Sequence, residues 1–174
     1  MVEALGNLLR KTLSRQSERN TLREEMEVVR YFMTIMDLRF EDRLQYTISA
    51  DPELLNAELP ALTIQPLVEN AANYALEEMT ELCYIDIKAT KTADRPHDFT
   101  ILVRNTGTRF EEHLLEKLKT AQVKPRGLGI GLLNIEKRLR LTFGEDFQLD
   151  FYNEDGFAVA RIILPYRPTG VTRR

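Results

Sequence analysis

Gln65-Pro66-Leu67-Val68-Glu69-Asn70-Ala71-Ala72-Asn73-Tyr74 is the stretch on which the reading of this chain turns. Leu67, Val68, Ala71, Ala72 and Ala75 recur at helical spacing, which predicts a helix over 59–78. Pro60 and Pro66 then fall near its start, where a missing N–H costs least. Asn70 and Asn73 are three apart and share a face. Asparagine forms helices poorly, so two amides on an otherwise apolar helix call for partners. Two readings stand open: a solvated stripe, or a polar cleft in which an amide oxygen ligates magnesium beside Tyr74.

Downstream of this helix, alternation predicts strands over 83–89 and 99–104, joined by the polar stretch 91–98. The second strand runs into Val103-Arg104-Asn105-Thr106-Gly107-Thr108, a strand ending in an Asx/Gly turn. A charged segment, 109–126, leads to Gly127-Leu128-Gly129-Ile130-Gly131, directly before a helix expected over 130–143 with Gly144 as its C-cap. Glycines there let backbone N–H groups approach an anion at a helix N-terminus; they serve equally as a hinge. The chain closes on a hairpin, 147–152 and 157–164, turning at Asn153-Glu154-Asp155-Gly156 and ended by Pro165.

Upstream, a strand is expected over 44–50, stopping at Asp51-Pro52. Before it, Thr21-Leu22-Arg23-Glu24 has the form of a capping box. Leu22, Met26, Val29, Met33, Met36 and Phe40 follow at alternating steps of four and three. That spacing is the seam of a helical pair rather than the broader stripe of a helix on a sheet. Its occupant is either this chain's own core or a second copy. Leu5, Leu8, Leu9 and Leu13 make a shorter stripe ahead of it. Strands and helices mixed with a closing hairpin give an α+β class, a sheet covered on one face.

Bulk properties narrow the function. The chain has 174 residues, enough for about one domain, and Lys+Arg 24 against Asp+Glu 27 leaves a net charge of −3. A nucleic-acid-binding surface normally carries a basic excess, which is missing. A lone Cys83 excludes an internal disulfide framework and fits a reducing compartment. No apolar run reaches the roughly 18–20 residues of a membrane span. Only two histidines occur, His97 and His113.

Taken in order, QPLVENAANY, VRNTG and GLGIGLLNIEKRLRLTFG resemble the boxes of the GHKL, or Bergerat-fold, ATP-binding domain, and more narrowly the catalytic part of LytS/YesM-type sensor histidine kinases. The lead-in LREEMEVVRYFMTIMDLRFEDRL is similar to the stretch preceding that domain in the family, so the resemblance runs from Leu5 to Pro165. It implies a two-layer α/β sandwich with a mixed, mostly antiparallel sheet, preceded by N-terminal helices. The expected organisation is a helical dimerisation remnant over 1–41, an ATP-binding domain over 42–166 and a loose tail over 167–174.

The resemblance also implies roles. Asn70 would coordinate the magnesium bridging the phosphates of ATP, and Tyr74 would lie against adenine or ribose. Asn73 stands where the family often has a lysine or arginine reaching a phosphate. Asn105 and Gly107 take the adenine box, with Asn105 replacing an aspartate and Arg109 replacing a glycine. Arg126, Gly127, Leu128, Gly129, Ile130, Gly131 and Leu132 would form the phosphate cradle, and 109–126 the lid, where Lys117, Lys119, Lys124 and Arg126 could meet phosphate. Ala158 replaces a threonine that commonly supports the adenine contact. Pro66 stands where a hydrolysing relative carries its carboxylate base. Neither histidine sits in a phosphoacceptor box, which implies a phosphoacceptor outside this chain. The partners implied are ATP or ADP, the histidine-bearing segment of the parent kinase, a response regulator and a second copy in the parent, with no nucleic acid and no direct membrane contact. The expected location is cytoplasmic, in a membrane-anchored parent. A non-catalytic signalling module of the same fold is the alternative.

Overall fold

Thr21 opens the first helix as its sequence predicts: the Glu24 N–H donates to Thr21 Oγ1 at 3.2 Å and the Thr21 N–H donates to Glu24 Oε2 at 2.7 Å, a complete capping box. The computed structural model describes residues 19–76, 81–120 and 128–169. The leading leucine stripe and the end of the tail lie outside them. In chain order the elements are β1 (Arg19–Thr21), α1 (Leu22–Phe40), β2 (Leu44–Ala50), β3 (Glu58–Pro60), α2 (Gln65–Leu76), β4 (Cys83–Thr92), β5 (Arg95–Asn105), α3 (Leu114–Lys119), α4 (Leu128–Phe143), β6 (Gln148–Glu154) and β7 (Phe157–Pro165).

Five strands form one mixed sheet in the order β2-β4-β5-β7-β6, in which only β2 and β4 run parallel. A separate two-stranded ribbon pairs β1 with β3. The hairpin β6–β7 turns through Asp155 and Gly156, both at positive φ (49° and 84°), the Asp-Gly signature of a type I′ turn. Gly144 ends α4 at φ 65°, its N–H donating to Arg140 O at 2.9 Å.

One face of the sheet meets the helices. Cys83, Ile85, Ile87 and Ala89 of β4, Phe99, Ile101 and Val103 of β5, and Ala160, Ile162 and Leu164 of β7 share one core with α1, α2 and α4. Each fully buried large apolar side chain there stabilises the fold by about 1.5–3 kcal/mol. The other face carries cross-strand ion pairs, Arg104–Asp86 and Arg161–Asp150, each at 2.8 Å.

Three expectations are corrected. The second helix starts at Gln65, not at 59: Leu59 and Pro60 lie in β3 and a turn intervenes. Two prolines six residues apart cannot both occupy one first turn, and Pro66 takes it. The polar stretch 91–98 is not a connection, since β4 and β5 extend to a turn at Ala93–Asp94. Its polar residues reflect exposure at the hairpin end rather than loop conformation. Finally, the α1 stripe is broader than a seam. Glu25 and Val28 are buried alongside Leu22, Met26, Val29, Met33 and Met36, because α1 packs against α2 as well as β2.

Candidate functional site

The helix that carries Asn70 is held at its start and at Leu76 by the segment before it. Three backbone N–H groups of the turn ahead of α2, from Leu62, Thr63 and Ile64, donate to the Glu25 carboxylate of α1 at 3.0, 3.0 and 3.1 Å. Further along, Arg43 Nη2 donates to Leu76 O at 3.0 Å. A carboxylate at the N-terminus complements the helix dipole. The core face of α2 is Leu67, Val68, Ala71, Ala72, Ala75 and Leu76, all buried, and it seats the helix against β4 and β5.

Asn70 is 3% exposed, and its Oδ1 has no hydrogen-bond partner among the described residues. A buried acceptor left unmade costs about 1–3 kcal/mol, so the position asks for a ligand. Gln65 Oε1 is likewise unpartnered, while Gln65 Nε2 donates to Glu69 Oε1 at 2.6 Å. Asn73 is half-buried on the same helix. The Tyr74 side chain lies outside the described residues.

At the end of β5, Asn105 is buried and faces the helical layer in one cross-strand row with Ile85, Ala158 and Asn153. Its Nδ2 donates to Thr106 O at 2.9 Å, and its amide oxygen is an acceptor. The turn is clamped to β4: Thr106 N–H donates to Tyr84 O and Tyr84 N–H to Thr106 Oγ1, both at 3.0 Å. Gly107 sits at φ 112°, where a side chain would be strained.

The segment after the turn is tied to the far strand. Phe110 N–H donates to Asn153 Oδ1 and Asn153 Nδ2 donates to Phe110 O, both at 2.9 Å, with the Phe110 and Phe151 rings edge to face at 5.4 Å. Sequence reasoning missed this clasp; Asn153 reads only as a turn residue. Lys117 pairs with Glu111 at 3.3 Å and Lys119 with Glu136 at 3.0 Å, so both ammonium groups already have carboxylate partners. Burial works to raise the Glu136 carboxyl, but the bonds from Arg140 and Lys119 outweigh it and hold it below the ordinary range.

Helix α4 is described from Leu128, so Gly129 and Gly131 lie within it rather than before it. Backbone N–H groups in the first turn of a helix lack intrahelical acceptors. A Cβ built on Gly131 meets no described atom within 4 Å, so packing against the described residues does not require glycine there. The Leu132 side chain points into the core with Ile135, Leu139 and Phe143, leaving only its backbone for a ligand. Lys124, Arg126 and Gly127 lie outside the described residues, as do the side chains of Leu128 and Ile130. His97 lies in β5 and His113 precedes α3, both exposed.

A magnesium ion fits this donor set. Magnesium takes hard oxygen ligands, keeps several waters and commonly binds through one or two protein groups plus phosphates. Asn70 Oδ1 offers one such oxygen, and the start of α4 offers N–H donors and a positive dipole end for phosphate.

A family model described as Histidine kinase matches residues 1–44. Sensor histidine kinase YesM of Bacillus subtilis is 41% identical over 154 residues, covering 88% of this chain and 25% of that protein. Sensor protein LytS of Oceanobacillus iheyensis is 37% identical over 149 residues, 84% of this chain and 25% of its own length. Sensor histidine kinase BtsS of Escherichia coli K12 is 30% identical over 168 residues, 96% and 28%. The chain thus spans about a quarter of the length of these relatives. Among solved structures, the nucleotide-free catalytic domain of histidine kinase ThkA superposes with a TM-score of 0.64 at 21% identity, covering 87% of this chain and all of that one. ThkA in complex with response regulator TrrA gives 0.57 at 20% identity, over 98% of this chain and 49% of that one. Among the described residues no helix is long and apolar enough to cross a membrane.

Proposed function

Homologous to the LytS/YesM-type sensor histidine kinases and folded like histidine kinase catalytic domains, this chain is, we propose, the part of such a kinase that binds Mg-ATP and presents its γ-phosphoryl group to a histidine. The observation that carries this reading is the buried Asn70 Oδ1, without a partner among the described residues, on a helix held at its start by Glu25 and at Leu76 by Arg43.

Each residue has a defined task. When bound, magnesium neutralises charge on the phosphates. Asn70 would hold it through Oδ1. The N–H groups of 128–131 would face phosphate oxygens at a helix N-terminus, and Gly129 and Gly131 would keep that approach free of side chains. Asn105 would accept from the adenine amino group, its Nδ2 being engaged by Thr106 O. An amide is a weaker acceptor here than a carboxylate, and Ala158 beside it adds no hydroxyl, so base recognition should be weak. Asn73, Tyr74, Gly107, Arg126, Gly127, Leu128, Ile130 and the Leu132 backbone complete the proposed contact set. Pro66 in place of a base argues against an efficient hydrolase, and catalysis would be positioning and charge neutralisation. The phosphoryl group would pass to a histidine on the dimerisation segment of the parent and then to a response regulator, with the parent acting as a homodimer.

The test has two parts. Calorimetry at millimolar nucleotide should show magnesium-dependent ATP binding; no binding of ATP or ADP overturns the reading. Labelled Mg-ATP and a separate polypeptide bearing a family histidine segment should then yield phosphohistidine, lost on Asn70→Ala. Binding without transfer would instead favour the non-catalytic module.

A further inference from the structure

The geometry points to Glu25 as a positioning residue for the nucleotide site: it makes the location of the Asn70 helix depend on the location of α1. This rests on the Mg-ATP reading above. Glu25 is fully buried, yet a glutamate is almost never so unless its oxygens are engaged. Oε1 accepts from Asn20 Nδ2 at 2.6 Å and from Leu62 N at 3.0 Å; Oε2 accepts from Thr63 N at 3.0 Å and Ile64 N at 3.1 Å. One carboxylate therefore gathers both the residue preceding α1's cap and three consecutive backbone groups some forty positions later.

Those three groups lie in the turn that launches α2. Leu62 is at φ 59°, a conformation that costs a non-glycine residue about 1–3 kcal/mol and persists only when its surroundings enforce it. The Glu25 carboxylate supplies three of the bonds that enforce it, beside Thr63 Oγ1 on Pro60 O and Arg138 Nη1 on Ala61 O. Ile64 O accepts from Leu67 N and Val68 N at 3.0 and 3.1 Å, so the turn bound by Glu25 is continuous with the first turn of the helix. Asn70 follows Ile64 by six residues, about 9 Å along the axis at 1.5 Å per residue. With Arg43 gripping Leu76 O, α2 is bound at its start and at Leu76 to α1 and its immediate extension. A shift of α1 must carry α2 with it or break these bonds. Coupling of this kind is reciprocal: what binds at Asn70 is felt in α1.

The experiment compares Glu25→Gln with Met33→Ala in the full chain. Met33 is equally buried on α1 but apolar, so its truncation weakens packing without touching the turn. Glu25→Gln keeps the side-chain shape and replaces one acceptor oxygen by an NH2 group facing donors. The expected result, measured by calorimetry where both variants are folded, is a loss of about tenfold in Mg-ATP affinity for Glu25→Gln and none for Met33→Ala. Mg-ATP should also slow hydrogen exchange in Leu22–Phe40 of the unsubstituted chain and do so less in Glu25→Gln. Unchanged affinity in Glu25→Gln, or equal loss in both variants, overturns the inference. If the unsubstituted chain binds no nucleotide, the Mg-ATP reading itself has failed. Exchange in 62–76 then decides alone: a rise in Glu25→Gln beyond that in Met33→Ala sustains the positioning role, and equal rises overturn it.

Discussion

Replacing Gly131 by alanine separates what the fold needs from what a ligand needs. Gly131 is the fourth residue of α4, and an added Cβ meets no described atom within 4 Å. Glycine in a helix is less favourable than alanine by roughly 0.5–1 kcal/mol, through backbone entropy lost on folding. With no clash to offset that gain, Gly131→Ala should stabilise the chain by about that amount. For a chain of this size, 1 kcal/mol moves Tm by about 2–4 °C, so a rise of about 1–4 °C is expected by scanning fluorimetry. Nucleotide binding should move the opposite way. A phosphate drawn, as proposed, to the N–H groups at the start of α4 has to approach the same turn, where the new methyl group would stand. A loss of affinity of about tenfold corresponds to roughly 1.4 kcal/mol, within reach of one misplaced contact, and calorimetry would read it. Two results refute the reasoning. A fall in Tm would mean that the space at Gly131 is not open. A rise in Tm with unchanged Mg-ATP affinity would mean that the first turn of α4 is not where phosphate binds.

Further expectations concern the other elements. Asn70→Ala removes a buried amide whose oxygen has no partner among the described residues, so stability should hold or rise while the magnesium-dependent part of ATP binding disappears; titrations with and without chelator compare the two. Thr21→Ala deletes the side-chain half of the capping box and should cost about 1 kcal/mol, seen as a lower urea midpoint at unchanged m-value. Glu136 titrates below its unfolded value, near 4.3, so its contribution is present above that pH and is lost as pH falls through the lower folded value. Glu136→Gln should therefore flatten that acid limb of the stability profile, measured by urea unfolding between about pH 7 and pH 3; an unchanged limb would remove Glu136 from the account.

Much of the fold is legible in local pattern because the responsible physics is local. The Thr21–Glu24 box, the alternation in β2, β4 and β5, the Asp155-Gly156 turn and the glycine ending α4 are each decided within a few residues. Misreadings arise where local rules leave a tie. Pro60 and Pro66 are both acceptable helix starters, and only the pairing of β3 with β1 removes the first from α2. Residues 91–98 are polar because a hairpin end is wet, and polarity alone does not distinguish that from a loop.

The candidate site divides in the same way. Asn70, Asn105 and the glycines of α4 stand in recognisable boxes, and the chain brings Asn70 and Asn105 into buried positions. Glu25 and Asn153 carry no such signal. A glutamate in the first turn of a capped helix reads as a surface residue, and its acceptor role depends on backbone groups some forty residues away. Asn153 likewise acts on Phe110 across the sheet. The lid lysines show the converse: their type suggests phosphate, while Lys117 and Lys119 are paired with Glu111 and Glu136.

The parallel pairing of β2 with β4 bears on the order in which the molecule assembles. Parallel neighbours cannot be joined by a tight turn; they need a crossover, and here the crossover, 51–82, contains α2. The edge strand can close its ladder only once that long connection has been laid across the sheet, a non-local step that is slow to form. Opening runs the same path backwards. When β2 frays, α2 loses the strand that leads into its connection, and Arg43, the residue before β2, loses the anchor that holds it to Leu76 O. Edge fraying and loss of the Asn70 site should therefore form one cooperative unit, exchanging amide hydrogens together rather than piecemeal.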